Sequence, residues 1–445
     1  MDSIKSSFRE ILRYPTAIFG MLVVLMLVAL AAYAIIAIPY REAIRLWRGG
    51  EEVWYRNPKF AAPAWTNFFS SRKLPESFAV DTVNGAMQKT VTPATEGAGS
   101  VDITYTFDFT YDEFPQEMFL YFTTKFKEKQ PFVSITWLTP DGRKIRIGNF
   151  GVHEKETYRF SQDEKLMVKL NNQNIMQALY VDPKTKRIVK GKYQLIINGV
   201  TFEKDSDIDV EFVLHGLVFG LAGTDHARRD LMLPLLWGAP VALAFGLIAS
   251  FGVSILTMLL AAIGTWYGGW VDGLIQRITE VNLILPFFPI LIMVGTFYSR
   301  SIWVIMSTTV LLSIFGGGIK GYRAIFLQVK ESMYIEAARA YGASNFRIIV
   351  QYMIPRMIPL LIPSLVSAVP SFVFLEASLA VLGLGDPVLP TWGKIIEDAS
   401  VNGALYKGYY YWILEPAVLL MFTGLGFAML GFALDRVFNP KLRDN

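Results

Sequence analysis

Residues 334 to 355 read Tyr334-Ile-Glu-Ala-Ala-Arg-Ala-Tyr-Gly-Ala-Ser-Asn-Phe-Arg-Ile-Ile-Val-Gln-Tyr-Met-Ile-Pro355. The stretch is too polar to cross a bilayer and too long to be a simple turn, yet it lies between two long apolar runs. Glu336-Ala-Ala338 belongs to a helix of strong formers, and Gly342 can end that helix by adopting a left-handed conformation. Ser344 then caps a second helix running to Pro355. The expected product is a short, rigid helix-turn-helix on one membrane face, with small alanines that permit close docking and arginines that supply polar contacts.

Outward from this segment the chain reads as a membrane protein. Apolar stretches at about 237–263, 281–298, 301–318, 357–383 and 412–434 join an uncharged run from Ala17 to Ile38, and together they give six crossings. The first run is too long for the core of a signal peptide and ends in Pro39-Tyr40-Arg41 without a small-residue cleavage site, so it reads as an uncleaved span. Lys5, Arg9 and Arg13 before it place the N-terminus in the cytoplasm. The segment between the fourth and fifth crossings carries Lys320, Arg323, Lys330, Arg339, Arg347 and Arg356, whereas the outer loops hold only Arg300, Lys394 and Lys407. That bias puts the quoted segment and the C-terminus in the cytoplasm too. In the second crossing Gly238, Ala242, Gly246, Ser250 and Ser254 fall four apart on one face, which lets another helix approach closely. Pro286 and Pro289 in the third, and Pro359, Pro363 and Pro370 in the fifth, predict kinks or breaks.

Between the first two crossings the composition changes. Val101–Phe107, Phe132–Trp137 and Tyr193–Asn198 alternate apolar and polar residues with period two, and turn chemistry stands at Pro140-Asp141-Gly142 and Asp182-Pro183. An antiparallel, sandwich-like domain over roughly 80–214 follows, on the extracytoplasmic side. Residues 41–79 look irregular, and their Trp47, Trp54, Tyr55 and Trp65 read as interfacial or core aromatics.

Several function classes are excluded or disfavoured. With no cysteine there is no disulfide framework or thiolate chemistry, and a net charge of +4 is too small and dispersed for nucleic acid. His153, His215 and His226 lack ligand spacing, and the glycines at 316–318 are not followed by Gly-Lys-Ser/Thr, so neither a metal site nor a phosphate-binding loop is expected. The chain is expected to be non-catalytic, with no catalytic, cofactor or metal residue of its own. Glu376, deep in an apolar run, is a candidate for a pathway or gate by default, with a pairing role or a position near the outer interface as the alternatives. Asp225, Arg229 and Asp230 before the second crossing are a candidate outer gate or docking edge for a solute-binding protein or, more simply, a charged helix cap.

The quoted segment resembles the cytoplasmic loop of the integral membrane subunits of ABC importers: Glu-Ala-Ala, three residues, glycine, then a spacer ending in a hydrophobic residue and proline. Glu336, Ala337, Ala338, Gly342, Ile354 and Pro355 fall on that pattern, with Tyr352 where many members have isoleucine. Gly223-Thr224-Asp225 with Arg229-Asp230, Glu376-Ala-Ser-Leu379, Leu382-Gly-Leu-Gly385 and Pro390-Thr-Trp-Gly393 look like the C-type permease of dipeptide, oligopeptide and nickel importers. Arg228 departs from the family, which usually has glycine there, and the resemblance stops at the strand-rich insert.

The resemblance implies an all-α, six-helix permease of the type I ABC importer fold, and the alternating pattern between its first two crossings adds an inserted antiparallel β-rich, sandwich-like extracytoplasmic domain that the resemblance does not cover. Its parts would be residues 1–39, 40–214 and 215–445, with the coupling loop at about 319–356. It further implies that Glu336, Ala337, Ala338, Gly342, Ile354 and Pro355 dock an ATPase, and that the partners are a second permease, two ATPases holding ATP and magnesium, and a solute-binding protein. Peptides are the expected cargo, with nickel chelates or oligosaccharides as alternatives. The rivals from other classes are a membrane-tethered receptor, which would not need five further helices, and an extracytoplasmic enzyme, for which residues 41–214 show no catalytic pattern.

Overall fold

The structure, a computed structural model, describes residues 14–93 and 98–438. Lys5, Arg9 and Arg13, on which the N-terminal orientation rests, lie outside the described residues. The chain divides into two compact units: the helices up to Arg48 together with everything from Leu233 onward, and the intervening Gly49–Met232.

The helical unit opens with α1 (Pro15–Ala37) and the short α2 (Tyr40–Arg48). In α1 the buried residues Ala17, Gly20, Val23, Leu27, Ala31 and Ala34 recur every three or four positions, while the remaining apolar side chains point outward, as they would toward lipid. The buried stripe meets α13 (Tyr411–Phe438) almost backbone to backbone: a Cβ on Gly20 would sit 2.8 Å from the Gly426 carbonyl oxygen. Residues 41–48, read as irregular from the sequence, are helical because Ala43 and Trp47, four apart, find a buried face, with Arg45 paired to Glu42 on the exposed side.

Among the described residues four helices are long and apolar enough to cross a bilayer: α1, α5 (Met232–Tyr267), α11 (Asn345–Leu384) and α13. Two bent pairs pass the same test together. These are α6 (Gly269–Ile284) with α7 (Phe287–Phe297), bent by 79° at Leu285-Pro286, and α8 (Ile302–Ile314) with α9 (Gly318–Lys330), bent by 45° at the glycine run. The first bend is where Pro286 removes a backbone donor.

The fifth stretch is not broken at its prolines. Pro359, Pro363 and Pro370 all lie inside continuous helix, and the second helix of the quoted segment does not stop at Pro355 but runs through it. A π-helical turn at Ile348–Met353, with Ile354 N–H donating to the Ile349 carbonyl, absorbs the mismatch just ahead of the proline.

In the β unit the described strands form two antiparallel sheets. One has the order β1 (Phe78–Asp81), β9 (Asp207–His215), β4 (Glu117–Lys125), β7 (Lys155–Arg159). The other runs β2 (Gln88–Thr92), β3 (Gly99–Phe109), β8 (Gly191–Thr201), β5 (Phe132–Leu138), β6 (Lys144–Gly151). Their inner faces share one core built around fully buried Trp137, Tyr180, Tyr193 and Phe212. Strand β8 shows the period-two logic well, with Tyr193, Leu195, Ile197 and Gly199 all inward. Two short helices, α3 (Glu164–Lys169) and α4 (Ile175–Tyr180), stand between β7 and β8, and Leu166 and Leu179 join the same core. Without disulfides, this aromatic core carries the stability of the unit.

Candidate functional site

Helix α10 (Met333–Ala340) contains the Glu-Ala-Ala sequence and ends in a Schellman motif. Gly342 N–H donates to the Arg339 carbonyl at 2.9 Å, and Ala343 N–H donates to the Ala338 carbonyl at 3.0 Å. Gly342 has φ +77°, and a Cβ there would meet nothing within 4 Å, so glycine is needed for backbone conformation and not for space. Ser344 then accepts from Arg347 N–H at 3.4 Å and starts α11.

The segment has two faces. Ile335, Ile348, Ile349 and Met353 are buried in a cluster with Met258, Ala262 and Trp266 of α5 and Met357 and Leu361 of α11, and Ala338 is buried as well. Polar contacts fasten the same frame: Lys330 donates to the Thr265 and Trp266 carbonyls at 2.8 and 3.1 Å, the Arg339 guanidinium lies 4.4 Å over the Trp266 ring, and Arg323 makes a bidentate pair with Asp272. The other face presents Met333, Glu336, Ala337, Tyr341 and Phe346, with Tyr341 93% exposed. The paired alanines therefore do different jobs: Ala338 packs inward and Ala337 faces out. Ile354 is half-buried and Pro355 exposed, both in the run into the long helix.

Glu376 lies in α11 and is buried. Near its carboxyl stands Thr391, whose hydroxyl accepts from Lys394 N–H and so caps α12 (Trp392–Val401). Around it the backbone is closely fitted. Gly383, at φ +85°, turns the chain out of the helix, and a Cβ on Gly393 would sit 2.7 Å from Ala377 Cα. Trp392 is wholly buried, its indole N–H bonded to the Leu235 carbonyl, and the face of small residues on α5 is its seat: a Cβ on Gly238 would lie 2.2 Å from the Trp392 ring. Further along that face, a Cβ on Gly246 would meet Val373, and Ser250 donates to the Leu365 carbonyl. Sequence reasoning missed Asp386, which accepts from Ile302 N–H at 2.9 Å and caps α8 from 84 residues away.

Asp225, Arg229 and Asp230 are in the β unit. Asp225 is buried, pairs with Arg229 at 2.6 Å and accepts from the Ala227 and Arg229 amides, closing a tight hairpin over 224–230. Asp230 accepts from Met232 N–H at the start of α5, and burial pushes its carboxyl above the usual carboxylate range. Arg228, the departure from the family pattern, has φ +65° and is buried. Its guanidinium donates to the Asn57 carbonyl and to His215 Nδ1, both at 2.9 Å, and stacks 5.7 Å over Phe119. Because Nδ1 is an acceptor there, the imidazole proton is on Nε2, which donates to the Tyr55 carbonyl at 2.9 Å. Burial first, and the Arg228 charge second, hold His215 down to about 3.

Residues 254–444 match the family model for the binding-protein-dependent transport system inner membrane component. The dipeptide transport system permease protein DppC of Alkalihalophilus pseudofirmus is 30% identical over 224 residues, 50% of this chain and 72% of that protein. DppC of Bacillus subtilis is 28% identical over 224 residues, covering 50% and 68%. The glutathione transport system permease protein GsiD of Escherichia coli O157:H7 is 29% identical over 231 residues, covering 50% and 72%.

Proposed function

The chain belongs to the family of binding-protein-dependent transport system inner membrane components, and from that premise we propose that it forms half of the translocation pathway of an ATP-driven peptide importer. The observation that carries the coupling part of this reading is the two-faced segment at 333–355. One face is locked into α5 and α11, and the other offers exposed Tyr341, Phe346, Met333 and Glu336. Large aromatic and charged side chains held rigidly on a frame of spanning helices suit the groove of an ATPase. Closure of an ATPase pair would then move α11, because α11 follows α10 across the tight Gly342 turn and runs from Asn345 into the span without a break.

In this reading each bent pair is one span, so there are six crossings, the coupling segment and both termini are cytoplasmic, and the β unit is extracytoplasmic. The distribution of basic residues supports that orientation. ATP and magnesium are held by two partner ATPases, a second permease completes the pathway, and a solute-binding protein delivers the peptide; this chain has no cofactor of its own. The dipeptide and glutathione permeases among the relatives are the ground for a peptide cargo. Glu376 would act by tying α11 to the α12 loop at a gate, and Asp225, Arg229 and Asp230 by bracing the entry into α5. The β unit would adjoin the binding protein or the second permease.

Because the chain has no cysteine, single cysteines report cleanly. Tyr341→Cys and Ala337→Cys should cross-link to an ATPase subunit in the assembled transporter, and Thr90→Cys on β2 should not. Equal cross-linking at all three sites, or none at the first two, would sink the docking assignment.

A further inference from the structure

We infer that the helical unit holds one anionic phospholipid, with an acyl chain in the apolar cleft between α1, α5 and α8 and its phosphate on the arginines of α2. Every residue involved belongs to that one unit. The inference rests on α1 crossing a bilayer and not on the transport reading, so the two stand or fall apart.

The cleft encloses about 350 Å³. Its floor is Phe245 of α5 and Met306 of α8, both buried in one apolar cluster, and its walls are Ile35 and Tyr40 on one side and Trp303 on the other, each more than half exposed. Along α5 it follows a single face through Trp237, Ala244 and Ile248, where the small side chain of Ala244 leaves the trough open. No charged residue lines it, and the Trp237 indole N–H is already taken by the Ile38 carbonyl at 3.2 Å. Such a lining selects a flexible hydrocarbon over a polar solute, whose hydrogen bonds with water would go unreplaced.

Length and depth identify the hydrocarbon. From Trp237 to Ile248 is about 16 Å of helix at 1.5 Å per residue, which matches one leaflet of a hydrocarbon core about 30 Å thick. A neighbouring helix would call for a groove along the whole span, whereas this cleft ends at Ile248 and the exposed Phe251, Ile255 and Leu256 lie beyond it. The level of its mouth is set by α1, whose 23 residues measure about 34 Å and so just reach both boundaries of that core. Ile35 is in the last turn of α1, and Tyr40 and Trp237, with ring centroids 5.9 Å apart, close the cleft at the same level, where such amphipathic rings are favoured.

The charge fits the other end of a lipid. Arg41, Arg45 and Arg48 form one exposed row on α2, beside the apolar row of Tyr40, Ala43, Ile44 and Trp47. Within the helical unit, among the described residues, only Arg45 of the three has a carboxylate partner, Glu42. Arg41 thus follows a wall residue of the cleft directly, with its guanidinium free to take two phosphate oxygens.

The test is native mass spectrometry of the full chain, purified in detergent and offered phosphatidylglycerol or phosphatidylcholine with the same acyl chains. Wild type should keep one phosphatidylglycerol under conditions that strip all further lipid. Ala244→Trp, which fills the cleft, should lose it, and Leu311→Trp, on an exposed part of α8 outside the cleft, should keep it. Arg41→Gln with Arg48→Gln should lower retention of phosphatidylglycerol about fivefold or more and leave phosphatidylcholine unaffected. Retention by Ala244→Trp, equal loss in Leu311→Trp, or an unchanged headgroup preference in the arginine variant would overturn the inference. A second measurement needs no substitution. Phosphatidylglycerol carrying a diazirine midway along one chain, in nanodiscs with the wild-type chain, should label residues 237–248 and 302–306 several-fold above the exposed apolar positions Leu274 and Val281 of α6. Even labelling of the two regions would overturn the inference, as would labelling of the cleft that vanishes when the other subunits are added, since its occupant would then be a protein.

Discussion

Replacing Arg228 by glycine, the residue usual in the family, tests how the β unit is fastened. The substitution removes a left-handed strain of about 1 kcal/mol, because glycine adopts φ +65° freely. It also removes two short hydrogen bonds from a charged donor, to the Asn57 carbonyl and His215 Nδ1, and the stacking over Phe119. Charged hydrogen bonds contribute about 1.5–3 kcal/mol each, so the net loss is about 2–5 kcal/mol, with both acceptors left in a dry site. Hydrogen exchange followed by mass spectrometry on the purified full chain reads this locally. Amides of β9 and of residues 217–231 should exchange about 30- to 4,000-fold faster, at roughly tenfold per 1.4 kcal/mol, while those of β5 and β8 in the other sheet change much less. Exchange within about threefold of wild type at β9 would refute the assignment of Arg228 as the clasp, and would mean that the strain cancels what its bonds return.

His215 supplies a pH dependence. Its folded pKa of about 3 lies below the unfolded value near 6.5, so the stability it contributes is full above pH 6.5 and falls by at most about 1.4 kcal/mol per unit as pH drops toward 3; an acid-side fall in β9 protection that His215→Gln leaves unaltered would be evidence against this. Gly238→Ala should displace the Trp392 indole and destabilise the helical unit by about 1–3 kcal/mol, whereas Gly273→Ala, with open space around it, should be neutral or stabilising; equal melting shifts would contradict the fitted contact. Asp386→Ala removes the cap of α8 and should cost about 1 kcal/mol, read as faster exchange at the amides of Ile302–Ile305; unchanged exchange there would mean that the cap contributes nothing.

What the sequence disclosed was chiefly local. The left-handed Gly342 and the Ser344 cap follow from residues within one turn, and β3, β5 and β8 follow from strict alternation, so both could be read without a partner in view. The passage of helix through Pro355 could not, because a π turn six residues long offsets the proline and no propensity anticipates it. Nor could the different facings of Ala337 and Ala338, which depend on which face of α10 the rest of the helical unit covers. The sheet order β1-β9-β4-β7 joins strands more than 100 residues apart, and Asp386 caps a helix far upstream. Arg228 was visible as a departure from a family pattern, but its reason lies in Asn57, Phe119 and His215, all in the inserted unit that the pattern does not cover.

The most direct test of the central claim is the ATPase activity of the assembled transporter carrying wild-type chain or Glu336→Ala with Tyr341→Ala, measured with binding protein and a dipeptide. Both residues are on the exposed face, so the helical frame should survive. The account predicts that the two permeases still assemble while peptide-stimulated ATP hydrolysis falls at least tenfold or the ATPases no longer co-purify. Full stimulation by the double variant would contradict the assignment of this segment as the coupling element.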